Sequence, residues 1–224
     1  MREPLGVLRL QPDQRARIKA LLTDVGLPES AMTLYPHEFS GGQRQRIGLA
    51  RALVLEPALI VADEPVSALD VSIQSQVLNL MRKLQAERDL TYVLISHDLA
   101  VVRYLADRVG VMYLGKMVEI GSGEEIYASP AHPYTSGLLE SVPVPDPVQE
   151  RGKHKDAVRG ELPSAANPPS GCRFRTRCPF AQQLCADVEP QMQLFSSGGH
   201  RAACHFPLQQ PLSVEVTGAG GRSD

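Results

Sequence analysis

Two adjacent carboxylates, Asp63 and Glu64, directly follow the short apolar run Leu59 to Ala62. Such a run is typical of a central strand in a parallel sheet that is covered on both faces. Ligands of open α/β sheets bind at the carboxyl ends of the strands. A carboxylate pair there can hold Mg²⁺ with one group and accept a proton from an attacking water with the other. Taken alone, however, the pattern favours a strand that merely ends in a solvated acidic turn.

Three more polar groups lie near this pair in the sequence. Ser40-Gly41-Gly42-Gln43 precedes it, Ser67-Ala68-Leu69-Asp70 follows it, and His97 comes after the next apolar run. The glycines allow backbone N–H groups to approach a phosphate closely. Ser40 and Gln43 have the spacing of a capping box, which places them at a helix N-terminus, where the helix dipole favours anions. Without further information, Ser40 is a simple helix cap and His97 a structural histidine.

The order and spacing of these groups resemble those of the ATPase subunits of ABC transporters. The matching stretches are Ser40 to Gln43 with Arg44 to Arg46 for the signature motif, Ile60 to Glu64 for Walker B, Ser67 to Asp70 for the D-loop and Ser96 to Asp98 for the switch histidine. The resemblance covers nearly the whole chain, from Arg2 to Pro207. It implies ATP and Mg²⁺ as cofactors, and ATP hydrolysis coupled to transport as the activity.

The same resemblance assigns roles to individual residues. Glu64 corresponds to the catalytic base, and His97 is expected to bind the γ-phosphate and contact the reacting water. Asp63 corresponds to the carboxylate that holds Mg²⁺, and Asp70 would communicate across a dimer interface. The residues expected to face the nucleotide of a partner subunit are Ser40, Gly41, Gly42 and Gln43.

The P-loop of that family, Gly-x-x-x-x-Gly-Lys-Ser/Thr, has no counterpart in the chain. The nearest match, Gly110 to Met117, ends in a Met that cannot ligate Mg²⁺, and its intervening residues are bulky and apolar. Val118 to Ile120 then continue as strand where a helix must open. The family's Q-loop glutamine and adenine-stacking aromatic are missing too. We therefore expect an N-terminally truncated chain that is inactive alone, and a vestigial or interaction-only fragment stays an alternative.

The C-terminal half resembles one subfamily, the importers of oligopeptides and dipeptides. The stretches that carry this resemblance are His132 to Thr135, Val142 to Pro147 and Gly160 to Pro163, and the run from Asp63 to Gln74 resembles the second of the two ATPases in such importers. The alternative of an importer of nickel or another small solute shares most of these motifs and stays open. A non-transport ABC protein of translation or DNA repair is disfavoured by the permease-type tail, 132–147.

Membership of this subfamily implies partners and a location. The expected partners are a second ABC ATPase subunit in a heterodimer, transmembrane permease subunits and, indirectly, a periplasmic or extracellular peptide-binding protein. The chain would then be peripheral, on the cytoplasmic face of the inner or plasma membrane. A net charge of −2, from 25 acidic and 23 basic side chains among 224 residues, argues against nucleic acid as a partner. No apolar run has the length of a membrane helix.

Four cysteines with the spacing Cys-x₅-Cys-x₆-Cys-x₁₈-Cys are clustered near the C-terminus, at Cys172, Cys178, Cys185 and Cys204. Clustering in a reducing compartment favours a metal over disulfides. Zinc sites favour cysteine pairs two to four residues apart, whereas the wider spacing suits a 4Fe–4S cluster. Zn²⁺ stays the alternative cofactor, and His200 and His205 are less favoured ligands.

The residues around the cysteines also fit a cluster. Gly171 to Pro179 resembles the corresponding stretch of peptide importers, which implies the same cluster site. The side chains expected to offset its negative charge are Arg173, Arg175, Arg177 and Arg201. A metal centre would be structural here, because so small a Pro-rich module has little core of its own.

Alternating strands and helices must position these groups, which predicts an α/β fold. The predicted helices are 12–26, 40–55, 73–84 and 98–106, the predicted strands are 59–62 and 92–96, and 109–114 and 117–120 form a hairpin that turns at Gly115-Lys116. The resemblance implies a RecA-like P-loop NTPase core without its N-terminal strands. The predicted domains are a partial helical subdomain (1–57), the core (58–142), a Pro-rich linker with the cysteine module (143–212) and a disordered tail (213–224).

Overall fold

The computed structural model of the chain describes residues 14–142 and 160–212. The predicted start of the first helix at Pro12, most of the Pro-rich linker and the predicted tail lie outside the described residues. The chain divides into two compact units, a first unit that ends at Leu105 and a second unit that begins at Ala106. The domain boundaries inferred from the sequence stay a prediction.

The first unit alternates helices with two strands. Its elements are α1 (Gln14–Asp24), 3-10 turns at Glu29–Thr33 and Pro36–Glu38, α2 (Gly41–Leu53), β1 (Leu59–Asp63), α3 (Val71–Arg88), β2 (Thr91–Ile95) and α4 (Leu99–Leu105). β1 and β2 pair in parallel from Leu59 with Thr91 to Asp63 with Ile95. α3 makes the crossover between them, as a parallel pair requires. The α/β alternation predicted for this region is confirmed.

Helix packing forms the core of the first unit. α1 buries Ile18, Leu21, Leu22 and Val25, and α3 buries Val77, Leu80, Met81 and Leu84. These residues recur at three- and four-residue intervals, which gives each helix one apolar face. Burying a side chain of this size contributes roughly 1.5–3 kcal/mol. The apolar face of each of these helices is therefore the face that packs.

The two parallel strands are covered on one side only. Ile60, Ala62 and Leu94 pack on the helical core. The residues that alternate with them are exposed, among them Val61 at 62% and Ile95 at 50%. The prediction that β1 is covered on both faces was therefore wrong for this chain. Among residues 14–105, the helices bury one face of the pair and leave these apolar side chains in contact with solvent.

The second unit is built on an antiparallel sheet. Its elements are β3 (Arg108–Tyr113), β4 (Lys116–Ser122), α5 (Gly123–Ala128), α6 (Pro133–Glu140), α7 (Gln183–Asp187), β5 (Met192–Leu194) and β6 (Arg201–Ala203). The strand order is β3-β4-β6-β5. The predicted hairpin is confirmed, but its loop is Leu114-Gly115 rather than Gly115-Lys116. Both loop residues have positive φ, 45° and 77°, as the twist of a two-residue hairpin loop requires.

Helices long and apolar enough to cross a membrane do not occur among residues 14–142 and 160–212.

Candidate functional site

The N-terminus of α2 is closed by a reciprocal capping box. The Gln43 amide N–H donates to Ser40 Oγ at 3.3 Å, and the Ser40 amide N–H donates to Gln43 Oε1 at 2.9 Å. The predicted helix start is confirmed. Ser40 and Gln43 are exposed beside the two glycines, so the positive end of the α2 dipole faces solvent.

The two glycines at this helix start also have a packing role. A Cβ at Gly42 would lie 2.4 Å from Ile73 Cγ2, and one at Gly41 would lie 3.3 Å from Leu69 Cδ2. A side chain at position 42 would therefore force α2 away from the start of α3. Sequence reasoning gave these glycines a phosphate-facing role. The structure adds that they set the distance between α2 and the segment that contains Asp70.

Two arginines tie α2 to its neighbours. Arg46 donates to the backbone oxygen of Val25 at 3.0 Å and to Gln76 Oε1 at 3.1 Å. Arg44 donates to the Phe39 backbone oxygen at 2.9 Å. The side chains are therefore engaged in positioning the helix rather than forming a merely solvated face, and the sequence gave no sign of these contacts.

Glu64 directly follows β1 with a left-handed backbone, φ 48°. Its amide N–H donates to the Ile95 backbone oxygen at 2.9 Å, so it continues the strand pairing by one bond. Ser67 Oγ donates to the Glu64 backbone oxygen at 3.2 Å. A positive φ on a residue with a side chain is unfavourable and is often found at functional sites. Here it turns the chain sharply after Asp63, whose own side chain is exposed.

His97 and Glu64 meet across the ends of the two strands. His97 Nδ1 lies 2.7 Å from Glu64 Oε1, and the side chains are 78% and 36% exposed. The hydrogen bond with Glu64, and then the charge of Glu64, raise the pKa of His97. This contact leaves the second carboxylate oxygen of Glu64 and Nε2 of His97 for a ligand. The sequence predicted both residues, and the structure joins them.

Asp70 and Asp98 each cap a helix next to this pair. Asp70 Oδ1 accepts from the Ile73 amide at 3.0 Å at the start of α3. Asp98 Oδ1 accepts from the Ala100 amide at 2.8 Å, and Asp98 Oδ2 accepts from Gln74 Nε2 at 3.3 Å. Burial opposes ionisation of Asp98, but these hydrogen bonds and the charge of His97 lower its pKa. The Gln74–Asp98 bond links the segment of Asp70 to that of His97, and sequence reasoning missed it.

In the second unit, the four cysteines line one cavity together with Phe174, Phe180, Phe206 and other side chains. None of them forms a disulfide. The Cys172 amide donates to the Cys185 backbone oxygen at 2.8 Å, which joins two of the cysteine-bearing segments. Gly171 permits this approach, since a Cβ there would lie 2.4 Å from that oxygen. The structure thus brings all four sequence-predicted cysteines to one place.

Three thiols in this cavity resist ionisation. Burial raises the pKa of Cys172 and Cys178, and burial with the neighbouring cysteines raises the pKa of Cys204 to about 12. Across the described part of the chain, no set of three or more His, Cys, Asp and Glu side chains is arranged around a single metal ion. The expected iron–sulfur cluster is therefore not shown.

The basic side chains around the cysteines have mixed roles. Arg175 lines the cavity and donates from Nε to the Ser170 backbone oxygen at 3.0 Å. Arg173 donates instead to the Leu114 backbone oxygen of the β3–β4 loop. His205 lines the cavity, whereas His200 Nε2 lies 2.7 Å from Glu119 Oε1. Of the two histidines named as less favoured ligands, only His205 is placed to reach the cavity.

Two families match parts of the chain: "ABC transporter" over residues 2–67, and "Oligopeptide/dipeptide transporter, C-terminal region" over residues 118–185. The oligopeptide transport ATP-binding protein OppF of Salmonella typhimurium is 56% identical over 192 residues, which are 86% of this chain and 57% of OppF. The putative oligopeptide transport ATP-binding protein YkfD of Bacillus subtilis is 52% identical over 207 residues, 91% of this chain and 63% of YkfD. AppF of Bacillus subtilis, another oligopeptide transport ATP-binding protein, is 56% identical over 87% of this chain and 59% of its own length. The chain thus spans less than two thirds of the length of these relatives.

Proposed function

The chain belongs to the ATP-binding subunits of oligopeptide/dipeptide ABC transporters, and from this premise we propose that it takes part in the ATP hydrolysis that drives peptide import. Its partners would be a second ATPase subunit and transmembrane permease subunits, and its location the cytoplasmic face of the membrane. The observation that carries the proposal is the Glu64–His97 hydrogen bond of 2.7 Å at the carboxyl ends of two parallel strands.

Each residue of the site has a specific task in this proposal. Glu64 orients the attacking water and accepts its proton, while His97 holds the carboxylate in place and presents its other ring nitrogen to the γ-phosphate. Hydrolysis needs this positioning more than covalent chemistry, because a phosphoryl transition state is stabilised mainly by charge and geometry. Asp63, an exposed carboxylate in the turn beside them, fits Mg²⁺, which neutralises charge on the phosphates.

The helix start at Ser40 to Gln43 serves a different nucleotide in this proposal. Its capped, solvent-facing N-terminus suits the γ-phosphate of ATP held by the second ATPase subunit. Asp70, whose segment packs against the same helix start through Leu69, would then lie at the interface of the two ATPases. A substitution at this helix start would thus change the hydrolysis of the nucleotide held by the second ATPase subunit.

The activity is tested in the assembled transporter, with the second ATPase and the permease present. Residues 1–224 contain no P-loop, whose backbone amides and Lys supply most phosphate contacts, so the isolated chain should not bind Mg-ATP with micromolar affinity in calorimetry. Assembly with the partners should instead give peptide-dependent ATP turnover. If the assembled complex hydrolyses no ATP, the chain is an interaction-only or vestigial subunit.

For the cysteine cavity we propose a 4Fe–4S cluster bound by Cys172, Cys178, Cys185 and Cys204. The four thiols on one cavity wall, with no pairing into disulfides, support it. When bound, the cluster would tie together the loops around Gly171 and the end of β6. Anaerobic reconstitution with iron and sulfide should give a brown protein, whereas a colourless protein with one stoichiometric zinc would contradict the cluster.

A further inference from the structure

His132 is a buried histidine on the wall of the cysteine cavity. Its side chain is 1% exposed, and it lines the cavity beside the four cysteines and Phe174. Its ring centroid lies 5.8 Å from that of Phe174. It precedes α6, and the roles given above to Glu64, His97 and the cysteines do not use it.

The backbone around His132 is held in place by a buried carboxylate. Glu119 Oε1 accepts from the Ala131 amide at 2.6 Å, and Glu119 Oε2 accepts from the His132 amide at 3.0 Å. Glu119 itself is 0% exposed. The position of the imidazole is therefore fixed by the sheet, through β4, rather than by the cysteine loop.

One ring nitrogen of His132 has a defined role. His132 Nδ1 lies 3.0 Å from the Tyr134 amide nitrogen, at the N-terminus of α6. A backbone amide can only donate, so Nδ1 must accept and cannot carry a proton. The proton of the neutral ring is then on Nε2, which makes Nε2 a hydrogen-bond donor.

The other ring nitrogen has no partner in the described structure. His132 Nε2 is buried without a hydrogen bond. Tyr92, Tyr113 and Thr135 also have buried hydroxyl oxygens without partners there, but none of these residues lines the cavity. Because buried donors in native proteins are nearly always satisfied, an acceptor for Nε2–H is expected from the cavity that His132 lines.

We propose that His132 Nε2–H donates a hydrogen bond to a sulfur atom of the group held by the four cysteines. The inference rests on the cluster proposed above. His132 is then a positioning residue and not a ligand, since ligation through Nε2 would need the proton on Nδ1, where Tyr134 already donates. Hydrogen bonds to cluster sulfurs stabilise the more negative, reduced state and so raise the reduction potential.

The test compares the whole chain with two single variants, each reconstituted anaerobically with ferrous iron and sulfide. His132→Ser keeps an oxygen that can cap α6 but has no Nε2–H. It should take up as much iron as the wild type. At a fixed potential its oxidised-to-reduced ratio should be about tenfold higher, which is about 59 mV for a one-electron couple. His37→Ser is the control: this exposed histidine of the first unit does not line the cavity, so the potential should not change.

Each outcome separates the two proposals. A wild-type chain that takes up no iron overturns the cluster and this inference with it. A wild-type chain that binds the cluster, with an unchanged ratio in His132→Ser, overturns the hydrogen bond alone. If His132→Ser takes up no iron, iron uptake is measured in a further variant, His132→Asn. This side chain offers both an acceptor for the Tyr134 amide and an N–H donor. Iron uptake restored by Asn supports the inference, and continued loss contradicts it.

Discussion

The two units each contain a glutamate–histidine pair with the same separation and opposite surroundings. Glu64 and His97 lie 2.7 Å apart with side chains 36% and 78% exposed. Glu119 and His200 also lie 2.7 Å apart, but their side chains are 0% and 2% exposed. The first pair is open to a ligand, and the second is enclosed by protein. The chemical types of two residues and their distance therefore do not separate a catalytic pair from a structural one.

The hydrogen-bond partners explain the difference. The buried carboxylate of Glu119 accepts hydrogen bonds from two backbone amides and is also paired with His200. It therefore has little room to bind a substrate. Glu64 receives one hydrogen bond from His97, and its backbone turns out of the strand with φ 48°. In the structural pair, both carboxylate oxygens accept hydrogen bonds from protein groups. In the candidate catalytic pair, one carboxylate oxygen is left for a ligand and the glutamate lies on a strained turn. Four predictions test this comparison.

The largest effect is expected from Glu64→Gln in a full-length version of the chain that carries a P-loop, assembled with the second ATPase and the permease. The amide keeps the shape of the side chain but cannot take the proton of the water, and general-base catalysis is worth about 10²–10⁴-fold in rate. Steady-state ATP turnover should fall by that factor, while nucleotide binding and the thermal unfolding of the chain stay unchanged. Glu125→Gln, at a capping box of α5 in the second unit, is the matched control. A Glu64→Gln complex with wild-type turnover would show that this pair is not the catalytic one.

The opposite result is expected for Glu119→Ala. Removing one partner of a buried, hydrogen-bonded pair leaves His200 and two backbone amides unsatisfied, which typically costs about 3–5 kcal/mol. Urea unfolding of the second unit should show this loss. The exposed Glu189, paired with Lys116 at 2.9 Å, gives the control, since an exposed ion pair contributes little to stability. Equal losses for Glu119→Ala and Glu189→Ala would contradict the structural role of the buried pair.

A smaller effect is expected at the start of α2. Ser40→Ala removes the oxygen that accepts from the Gln43 amide and should cost about 0.5–2 kcal/mol of unfolding free energy. Ser40→Asp keeps an acceptor and should retain that stability, but it places a negative charge where the partner's phosphate would bind. In Ser40→Asp, ATP turnover of the assembled complex should therefore fall by more than its unfolding free energy accounts for. If turnover follows stability in both variants, Ser40 is a cap and nothing more.

The smallest effect is a shift in titration. Because Glu64 raises the pKa of His97, the charged pair is fully formed below the ordinary histidine pKa and is lost as the pH rises through the raised value. NMR titration of the His97 ring should show a pKa above the ordinary histidine value. Glu64→Gln should bring it back towards that value. A His97 pKa that does not respond to this substitution would mean that the two side chains do not pair in solution.

The local features of the chain follow from short stretches of its sequence. Ser40 with Gln43 fixed the start of α2, the apolar spacing of α1 and α3 fixed their buried faces, and glycine at 115 fixed the hairpin. Each of these depends on residues at most a few positions apart, where backbone geometry alone decides which atoms meet. The motif residues could be named for the same reason, since their order along the chain is visible without a fold.

Contacts between groups far apart in the sequence depend on the fold. The bond between Glu64 and His97 spans 33 positions and that between Glu119 and His200 spans 81, and no periodicity predicts either. The same holds for the one-sided cover of β1 and β2 and for the four cysteines on one cavity wall. Contacts of this kind depend on how β4, β6 and the loops cross in space. Burial then decides which carboxylate is saturated and which stays open to a substrate.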